Sequence, residues 1–218
     1  MTKVYVVRHC ETMGNSKKVF QGSCDLPVTE IGEKQLACLG ERFKEIYLDK
    51  IFVSPQLRAQ KTALAIAHPK GMEVITQTDL REIDGGVIEG LTMGEIFEKY
   101  RSLEDTWNDS PQDFSPQNGE SMRQVYNRVS ALIKKLVSEN KGQTFAIVSH
   151  GAAIRNLICY LTKGDVEKLN DVPWCNNTAV SLFEIDENKV NTVFFNNTDH
   201  LSDDLLPDYS KIVSYKGE

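Results

Sequence analysis

The segment VYVVRHCETMGN, residues 4–15, carries the strongest structural signal in this chain of 218 residues. Its first four residues form a short apolar run rich in β-branched side chains, which is typical of a strand buried on both faces. Polar residues follow directly where this strand ends. In sheets of parallel strands, ligands bind at the carboxyl ends of the strands. The segment therefore predicts a buried strand with a candidate site immediately after it.

Strands and helices alternate through the rest of the chain, a pattern that predicts an α/β fold. We expect a single three-layer domain over residues 1–218, with a mostly parallel central sheet flanked by helices. A helical and loop insertion at about 83–119 is expected to lie over the active site. The predicted strands are 4–7, 51–53, 74–75 and 144–149, the predicted helices are 29–46, 54–67, 92–100, 125–136 and 151–161, and a hairpin is predicted over 180–185 and 190–195 with its turn at 186–189.

Composition limits the function classes. The chain has 25 Lys and Arg against 31 Asp and Glu, a net charge of −6, which argues against a nucleic-acid or membrane-surface binder. No run approaches the roughly 18 apolar residues that span a bilayer. Five cysteines without a Cys-x-x-Cys pair and no leader-like N-terminus indicate reduced thiols in a cytoplasmic protein. The oligomeric state stays open, with a homodimer as one option.

Three predicted strands end in residues suited to phosphate chemistry. Arg8 and His9 follow the first strand, Arg58 lies shortly after the second, and His150 follows a later one. If these strands are neighbours, two arginines and two histidines converge. Two guanidinium groups facing one spot favour a bound anion such as phosphate. Between them, an imidazole whose second nitrogen is held by a backbone carbonyl can attack a phosphoryl group.

A leaving alkoxide also needs a proton, and Glu82 in the segment LREID is the candidate acid. Each residue alone has a simpler explanation. Arg58 alone suits a helix surface, His150 alone a hydrogen-bonded core, and Glu82 alone a solvated loop. Their joint placement at predicted strand ends favours the functional interpretation. Trp107 and Trp174 are expected to be packing residues or pocket walls.

The motifs and their order resemble those of the histidine phosphatase superfamily, which has a phosphoglycerate mutase-like fold. Residues 7–15, VRHCETMGN, resemble the signature Arg-His-Gly-Glu-Thr/Ser-x-x-Asn of that family. The resemblance covers nearly the whole chain. All the motifs together, in this order along the chain, are far more specific than any single motif. The further matching segments are 20–32, 54–63, 80–91, 119–121, 148–151, 177–180 and 199–201.

This resemblance implies a role for each site residue. His9 is expected to become the phosphohistidine, and Glu82 to donate the proton to the leaving group. No metal ion and no cofactor is expected. The resemblance assigns phosphate binding to the remaining site residues, Arg8, Arg58, His150, Asn15 and Gln21.

Cys10 departs from the family pattern, which usually has Gly at this position. The pair His9-Cys10 also resembles the start of His-Cys-x5-Arg, the phosphate loop of cysteine phosphatases. That motif requires Arg six residues after the Cys, and Ser16 stands there. The spacing therefore argues against a cysteine nucleophile.

The run IDGGVIEG, residues 83–90, resembles the phosphatase branch, since the mutase branch places Arg and Tyr there. Asp84 and Glu89 would repel a phosphoglycerate carboxylate if they face the pocket, and the acidic segment 101–118 disfavours highly anionic substrates. The sequence thus predicts a metal-independent phosphomonoesterase that acts on a small phosphorylated metabolite. Alpha-ribazole phosphatases and sugar-phosphate phosphatases both look similar, so the substrate is left open.

Two alternatives are kept beside this prediction. One is phosphoryl transfer of the phosphoglycerate mutase type, in which a second hydroxyl replaces water as acceptor. The other is a non-catalytic module that binds a phosphate ligand, which the presence of His9 and Glu82 disfavours. For an enzyme, the rate is expected to fall as His9 protonates on the acid side and as Glu82 ionises on the alkaline side.

Overall fold

A central sheet of six strands organises the part of the chain that the computed structural model describes, residues 1–187 and 189–206. Its strand order is β3-β2-β4-β1-β5-β6. The strands are β1 Thr2–Arg8, β2 Lys50–Val53, β3 Ile75–Thr76, β4 Thr144–Ser149, β5 Val180–Asp186 and β6 Lys189–Asn197.

Strand direction changes once across this sheet. β1 pairs in parallel with β4, β4 with β2, and β2 with β3. β5 is antiparallel to β1, and β6 is antiparallel to β5. The prediction of an α/β fold with a mostly parallel sheet is confirmed. Because β2, β4 and β1 are neighbours, their carboxyl ends lie side by side, which is the condition on which the predicted site depends.

Helices cover both faces of the sheet. On β4, Phe145 and Ile147 pack into an apolar cluster with helices on one face, while Ala146 and Val148 pack into a second cluster with helices on the other face. This alternation is the period-two pattern of a strand buried on both faces. The helices are α1 Met13–Ser16, α2 Glu30–Phe43, α3 Leu57–Ala67, α4 Met93–Lys99, α5 Arg101–Asp109, α6 Met122–Glu139 and α7 Gly151–Lys163.

Several predicted helix ends differ from those observed. The predicted cap at Thr29 is confirmed, since its side chain accepts from the backbone N–H of Gly32. The helix ends at Phe43 rather than Ile46, however. Ile31, predicted on the apolar face, is 38% exposed, because a spacing of five residues places it about 140° around the helix from the buried Leu36. The predicted turn at 186–189 includes residue 188, which lies outside the described residues.

The start of α3 was predicted wrongly. Ser54 and Pro55 were expected as N-cap and first helical residue, but the helix begins at Leu57 with Gln56 as its N-cap. The backbone of Gln56 is extended, with φ −73° and ψ 139°, so the helix cannot begin before Leu57. The Ser54 hydroxyl still accepts from the Gln56 N–H at 3.3 Å, and it also lies 2.6 Å from Nε2 of His150.

The insertion is more regular than predicted. The helix expected over 92–100 is observed as α4, capped by Thr92. The polar stretch after it, expected to be irregular, contains α5. Leu103 and Trp107 lie four residues apart on α5 and both pack into the core, but two apolar residues are too short a stripe to indicate a helix from sequence.

Within the described residues, no helix is both long enough and apolar enough to cross a bilayer.

Gly32 in the first turn of α2 is predicted to be intolerant of a side chain. A Cβ atom at residue 32 would lie 2.2 Å from the backbone oxygen of Glu11, so α2 would have to shift. We expect Gly32→Ala to lower the free energy of unfolding by about 1–3 kcal/mol. Urea unfolding followed by circular dichroism measures this change.

Gly94 in the first turn of α4 supplies the matched control, because a Cβ atom there meets nothing within 4 Å. Gly94→Ala is expected to leave stability unchanged or to raise it by up to about 1 kcal/mol. Equal losses of stability in the two variants would show that the contact with Glu11 is not the cause.

Candidate active site

His9 follows β1 and is placed by the neighbouring strand. Its backbone N–H donates to the oxygen of Ser149, the last residue of β4, at 2.9 Å. Its Nδ1 lies 2.7 Å from the backbone oxygen of Cys10. A carbonyl only accepts, so Nδ1 carries the proton and Nε2 keeps its lone pair. The backbone carbonyl predicted to hold the second nitrogen is therefore present.

The surroundings of His9 keep its ring uncharged. The residue is 3% exposed. Burial holds the pKa of His9 well below 6.5, and the positive charges of Arg58 and Arg8 lower it further, while the bond to the Cys10 oxygen acts in the opposite direction. A neutral imidazole is the form that can act as a nucleophile.

His150 lies beside His9, with ring centroids 5.1 Å apart. It follows β4 and is the N-cap residue of α7. Its Nε2 lies 2.6 Å from the Ser54 hydroxyl, and its enclosed Nδ1 has no hydrogen-bond partner among the described residues. Burial, followed by the charge of Arg58, lowers the pKa of His150 well below 6.5. Nδ1 is thus a polar atom left for a ligand.

Arg58, on the first turn of α3, is 1% exposed and holds a loop. Its Nη1 donates to the Cys24 oxygen at 2.8 Å and to Asp25 Oδ1 at 2.9 Å. Its Nη2 donates to the oxygens of Gln21 at 2.8 Å and Gly22 at 3.1 Å. These bonds occupy the terminal nitrogens and leave Nε enclosed without a partner among the described residues. Phosphate contact by Arg58 stays a prediction, with Nε as the donor that remains.

Arg8, the last residue of β1, is held by the loop before β5. Sequence reasoning had assigned no structural role to this loop. Its Nη1 donates to the oxygen of Cys175 at 2.6 Å. In the same loop, the Thr178 N–H donates to the Arg8 oxygen at 3.1 Å, and Asn177 Nδ2 donates to the His9 oxygen at 2.9 Å. The segment 177–180 was matched to the family pattern, but its contacts with β1 could not be read from sequence.

Asn15 and Gln21 make structural contacts around Thr12. Asn15 Oδ1 accepts from the Thr12 backbone N–H at 3.0 Å and closes the capping box of α1. Gln21 Nε2 donates to the Thr12 hydroxyl at 2.5 Å. The Gln21 Oε1 atom is enclosed without a partner in the described part of the chain. Both side chains thus shape the loop after His9, and their contact with phosphate stays a prediction.

Glu82 is fixed at the start of α7, the helix that His150 caps. Its Oε2 accepts from the Ala152 N–H at 3.0 Å, and its Oε1 accepts from the Ala153 N–H at 3.1 Å and from the Ile83 N–H at 2.9 Å. Backbone donors of a helix N-terminus are a common place for a carboxylate. The contacts therefore set the position of Glu82 next to His150, and its proton-donor role stays a prediction.

Gln56 is a site residue that sequence reasoning missed. Its Oε1 accepts from the Glu82 backbone N–H at 2.8 Å, and its Nε2 donates to the oxygen of Gly22. It is 9% exposed. One side chain thus connects the acid loop, the loop held by Arg58 and the start of α3. One feature of the sequence could have indicated this role. Gln56 carries an amide, which can both donate and accept hydrogen bonds, and it lies shortly after a predicted strand.

Glu89 also has a role that differs from the expected one. Its Oε1 accepts from the N–H groups of Ser23 at 2.8 Å and Gly85 at 2.8 Å, and its Oε2 from that of Gly22 at 3.2 Å. Glu89 was considered as a carboxylate that repels anions if it faces the pocket. Its oxygens accept from the backbone of two loops, so Glu89 has a structural role in joining these loops that sequence reasoning did not assign.

Cys10 fits beside His9, and its surroundings do not favour a reactive thiolate. The residue is fully buried, and its backbone N–H donates to the Thr62 hydroxyl at 3.0 Å. Burial raises the pKa of the Cys10 thiol to about 11, so the thiol stays protonated at neutral pH. The structure agrees with the spacing argument against a cysteine phosphatase.

His, Cys, Asp and Glu side chains of the described residues form no group of three that could hold a metal ion. Independence of metal ions stays a prediction.

Comparison with known proteins gives the same assignment as the motifs. The sequence model of the histidine phosphatase superfamily (branch 1) matches residues 4–198. The chain belongs to the histidine phosphatase superfamily. This membership confirms the family that the motifs indicated, the α/β fold and the phosphatase class of enzyme.

Three similar proteins illustrate the histidine phosphatases related to this chain. Phosphoserine phosphatase 1 of Hydrogenobacter thermophilus is 34% identical over 206 residues, which cover 93% of this chain and 96% of the relative. The probable phosphoglycerate mutase GpmB of Cronobacter sakazakii is 35% identical over 163 residues, covering 72% and 74%. The structure of a phosphoserine phosphatase mutant from Entamoeba histolytica in complex with phosphoserine is 28% identical with a TM-score of 0.81, covering 93% and 100%.

The lowered pKa of His9 predicts where activity is lost in acid. Since the pKa lies well below 6.5, the ring stays neutral as the pH falls through 6.5 and protonates only at lower pH. We expect kcat/KM for p-nitrophenyl phosphate to fall in acid as His9 becomes protonated. The pH at which half of this activity is lost should lie well below 6.5. An NMR titration of the His9 ring, assigned by its loss in His9→Ala, gives the same pKa independently. A ring that titrates at 6.5 or above contradicts the expectation.

Proposed function

We propose that the protein is a phosphomonoesterase that hydrolyses a small phosphorylated metabolite through a phosphohistidine at His9. The hydrogen bond between Nδ1 of His9 and the Cys10 oxygen carries this proposal, because it leaves Nε2 as the nucleophilic atom. Family membership and the phosphoserine phosphatase relatives support the phosphatase class.

The first step transfers the phosphoryl group to the enzyme. The Nε2 lone pair of His9 forms a bond to phosphorus while the ester P–O bond breaks. The leaving oxygen takes a proton from the carboxyl of Glu82. The positive charges of Arg8 and Arg58 stabilise the transferring group, which spreads negative charge over its oxygens.

The second step returns the enzyme to its starting state. A water molecule attacks the phosphorus, and the Glu82 carboxylate accepts a proton from that water as the P–N bond breaks. Inorganic phosphate and neutral His9 remain, with Nδ1 still protonated. The position of Glu82 at the start of α7, next to His150, suits one group that serves first as acid and then as base.

The partner of the site is a small phosphorylated molecule. The relatives named for phosphoserine support such a substrate. Cytoplasmic location, the lack of nucleic-acid binding and a homodimer remain predictions from the sequence.

Phosphoglycerate mutase activity is the second candidate, favoured by the GpmB relatives. The two activities share the phosphohistidine and differ in the acceptor, water or a second hydroxyl. We expect 3-phosphoglycerate isomerisation, measured with and without a bisphosphoglycerate primer, to be much slower than the hydrolysis of the preferred phosphate ester. Primer-dependent isomerisation faster than hydrolysis would reverse the assignment.

Replacement of the nucleophile tests the proposal directly. His9→Ala is expected to reduce hydrolysis of p-nitrophenyl phosphate, measured with EDTA present, by at least about 10³-fold, because its imidazole forms the covalent intermediate. Acid-labile phosphate should appear on His9 when the wild-type protein is mixed with substrate and quenched.

Cys10→Ser is the matched control, since it changes the adjacent side chain and should keep most of the activity. Loss of activity in Cys10→Ser with persistence in His9→Ala would assign the nucleophile to the thiol. Restoration of EDTA-inhibited activity by added divalent metal would contradict metal independence.

A further inference from the structure

Arg155 on α7 is a nearly buried cation that the reaction described above does not use. It is 5% exposed, and its Nε donates to the backbone oxygen of Val172 at 2.7 Å. Within the described residues, its terminal nitrogens donate to no protein acceptor, and no carboxylate forms an ion pair with it. Those nitrogens are also not among the enclosed unpaired atoms, so they keep contact with solvent. Burial lowers the pKa of Arg155 to about 10, as expected for a desolvated charge without a counterion.

An aromatic wall lies against this guanidinium. The Cζ atom of Arg155 is 4.7 Å from the ring centroid of Trp174. Trp174 stacks on Trp107 of α5, with ring centroids 5.2 Å apart and an interplanar angle of 22°. Trp107 in turn packs edge-to-face on Phe114 at 4.9 Å. The insertion therefore reaches across to the loop before β5, and the Trp174 indole, which stacks on Trp107, covers one side of Arg155.

This wall borders the group assigned to protonate the leaving oxygen. A Cβ atom at Gly151 would lie 3.4 Å from Trp174 Cζ3 and 3.5 Å from Glu82 Oε2. Arg155 is four residues after Gly151 on α7, so it lies on the same helix face one turn further along. A proton donor must contact the leaving oxygen. A leaving group whose oxygen contacts Glu82 can therefore extend along Trp174 toward Arg155.

We propose that Arg155 binds a carboxylate on the leaving group of the substrate, with Trp174 and Trp107 as the wall of this subsite. The inference rests on the proposed function and narrows its substrate to phosphate monoesters of hydroxy acids or hydroxy amino acids. A guanidinium offers two parallel N–H donors that match a carboxylate. The unpaired terminal nitrogens are the donors available here, since Nε is taken by Val172.

A carboxylate also supplies the counterion that the protein itself does not provide in the described residues. A purely structural role for Arg155, holding Val172 alone, would use one of its five N–H donors and would make no distinction between substrates.

Two esters that differ only by a carboxylate provide the test: O-phosphoserine and O-phosphoethanolamine. We expect the wild-type kcat/KM to be at least about tenfold higher for O-phosphoserine. Arg155→Met, which keeps an unbranched side chain against Trp174, should bring this ratio close to one, mainly through a higher KM for O-phosphoserine. Arg155→Lys keeps the charge and should retain part of the preference.

Arg42→Met is the matched control. Arg42 is also a partly buried arginine over an aromatic ring, 5.6 Å from the Phe194 centroid, and its Nη1 donates to the Asn197 oxygen at 3.2 Å. This variant should keep the wild-type ratio. Thermal melting by circular dichroism shows whether each variant folds. If Arg155→Met does not fold, the ratio of kcat/KM values for the two esters in the wild type and in Arg155→Lys still tests the carboxylate subsite.

The outcomes separate this inference from the proposed function. A wild-type protein that hydrolyses p-nitrophenyl phosphate but shows a ratio near one overturns the carboxylate subsite and leaves the phosphatase in place. An equal loss for both esters in Arg155→Met also overturns it, because a structural role predicts that result. A wild-type protein that hydrolyses none of the three esters overturns the proposed function and, with it, the subsite.

Discussion

The hydrogen bond from Nδ1 of His9 to the backbone oxygen of Cys10 is the constraint on which the chemistry depends. It fixes the tautomer, and it can form only because β1 ends in parallel register with β4, where the Ser149 oxygen holds the His9 backbone. Burial and two nearby arginines then keep the ring neutral. In this histidine phosphatase, the pairing of β1 with β4 thus positions the His9 backbone, and the backbone in turn positions the ring. The residue at position 10 contributes its carbonyl, which explains why a Cys side chain is compatible with the site.

Around the nucleophile, the polar groups are organised mainly by backbone contacts. The loop at 21–25 receives N–H donors from Arg58, and its own N–H groups donate to Glu89, while Gln56 connects it to the Glu82 segment. Glu82 is held in turn by the first N–H groups of α7. Most of these partners are distant in sequence. Preorganised charges and donors of this kind need little rearrangement when a phosphoryl group arrives.

The sequence was sufficient for the fold class and the residues at the strand ends, because buried strands with β-branched residues and helix caps such as Thr29 are local signals. It was insufficient for contacts that join distant segments. Ser54 was expected as a helix cap, and its additional contact with His150 was not foreseen. Glu89 was considered only as a charge that would repel a carboxylate if it faces the pocket, and its bonds to loop backbone were not foreseen. The helix α5 was missed because Leu103 and Trp107 gain their burial only from the tertiary structure. The roles of Asn15, Gln21 and Glu82 in catalysis depend on a bound substrate, which neither a residue pattern nor a fold supplies.

The placement of the aromatic wall has a consequence for how such enzymes diversify. The groups proposed to handle phosphorus lie at strand ends and on the first turn of α3, whereas Trp107 and Phe114 belong to the insertion. Trp107 and Phe114 can therefore change without altering the hydrogen bond that fixes the His9 tautomer. The aromatic part of the wall supplied by α5 is thus separable from the reaction centre, whereas Arg155 shares α7 with the backbone donors that hold Glu82. Exchange of α5 between paralogues therefore offers a route to new leaving-group preferences.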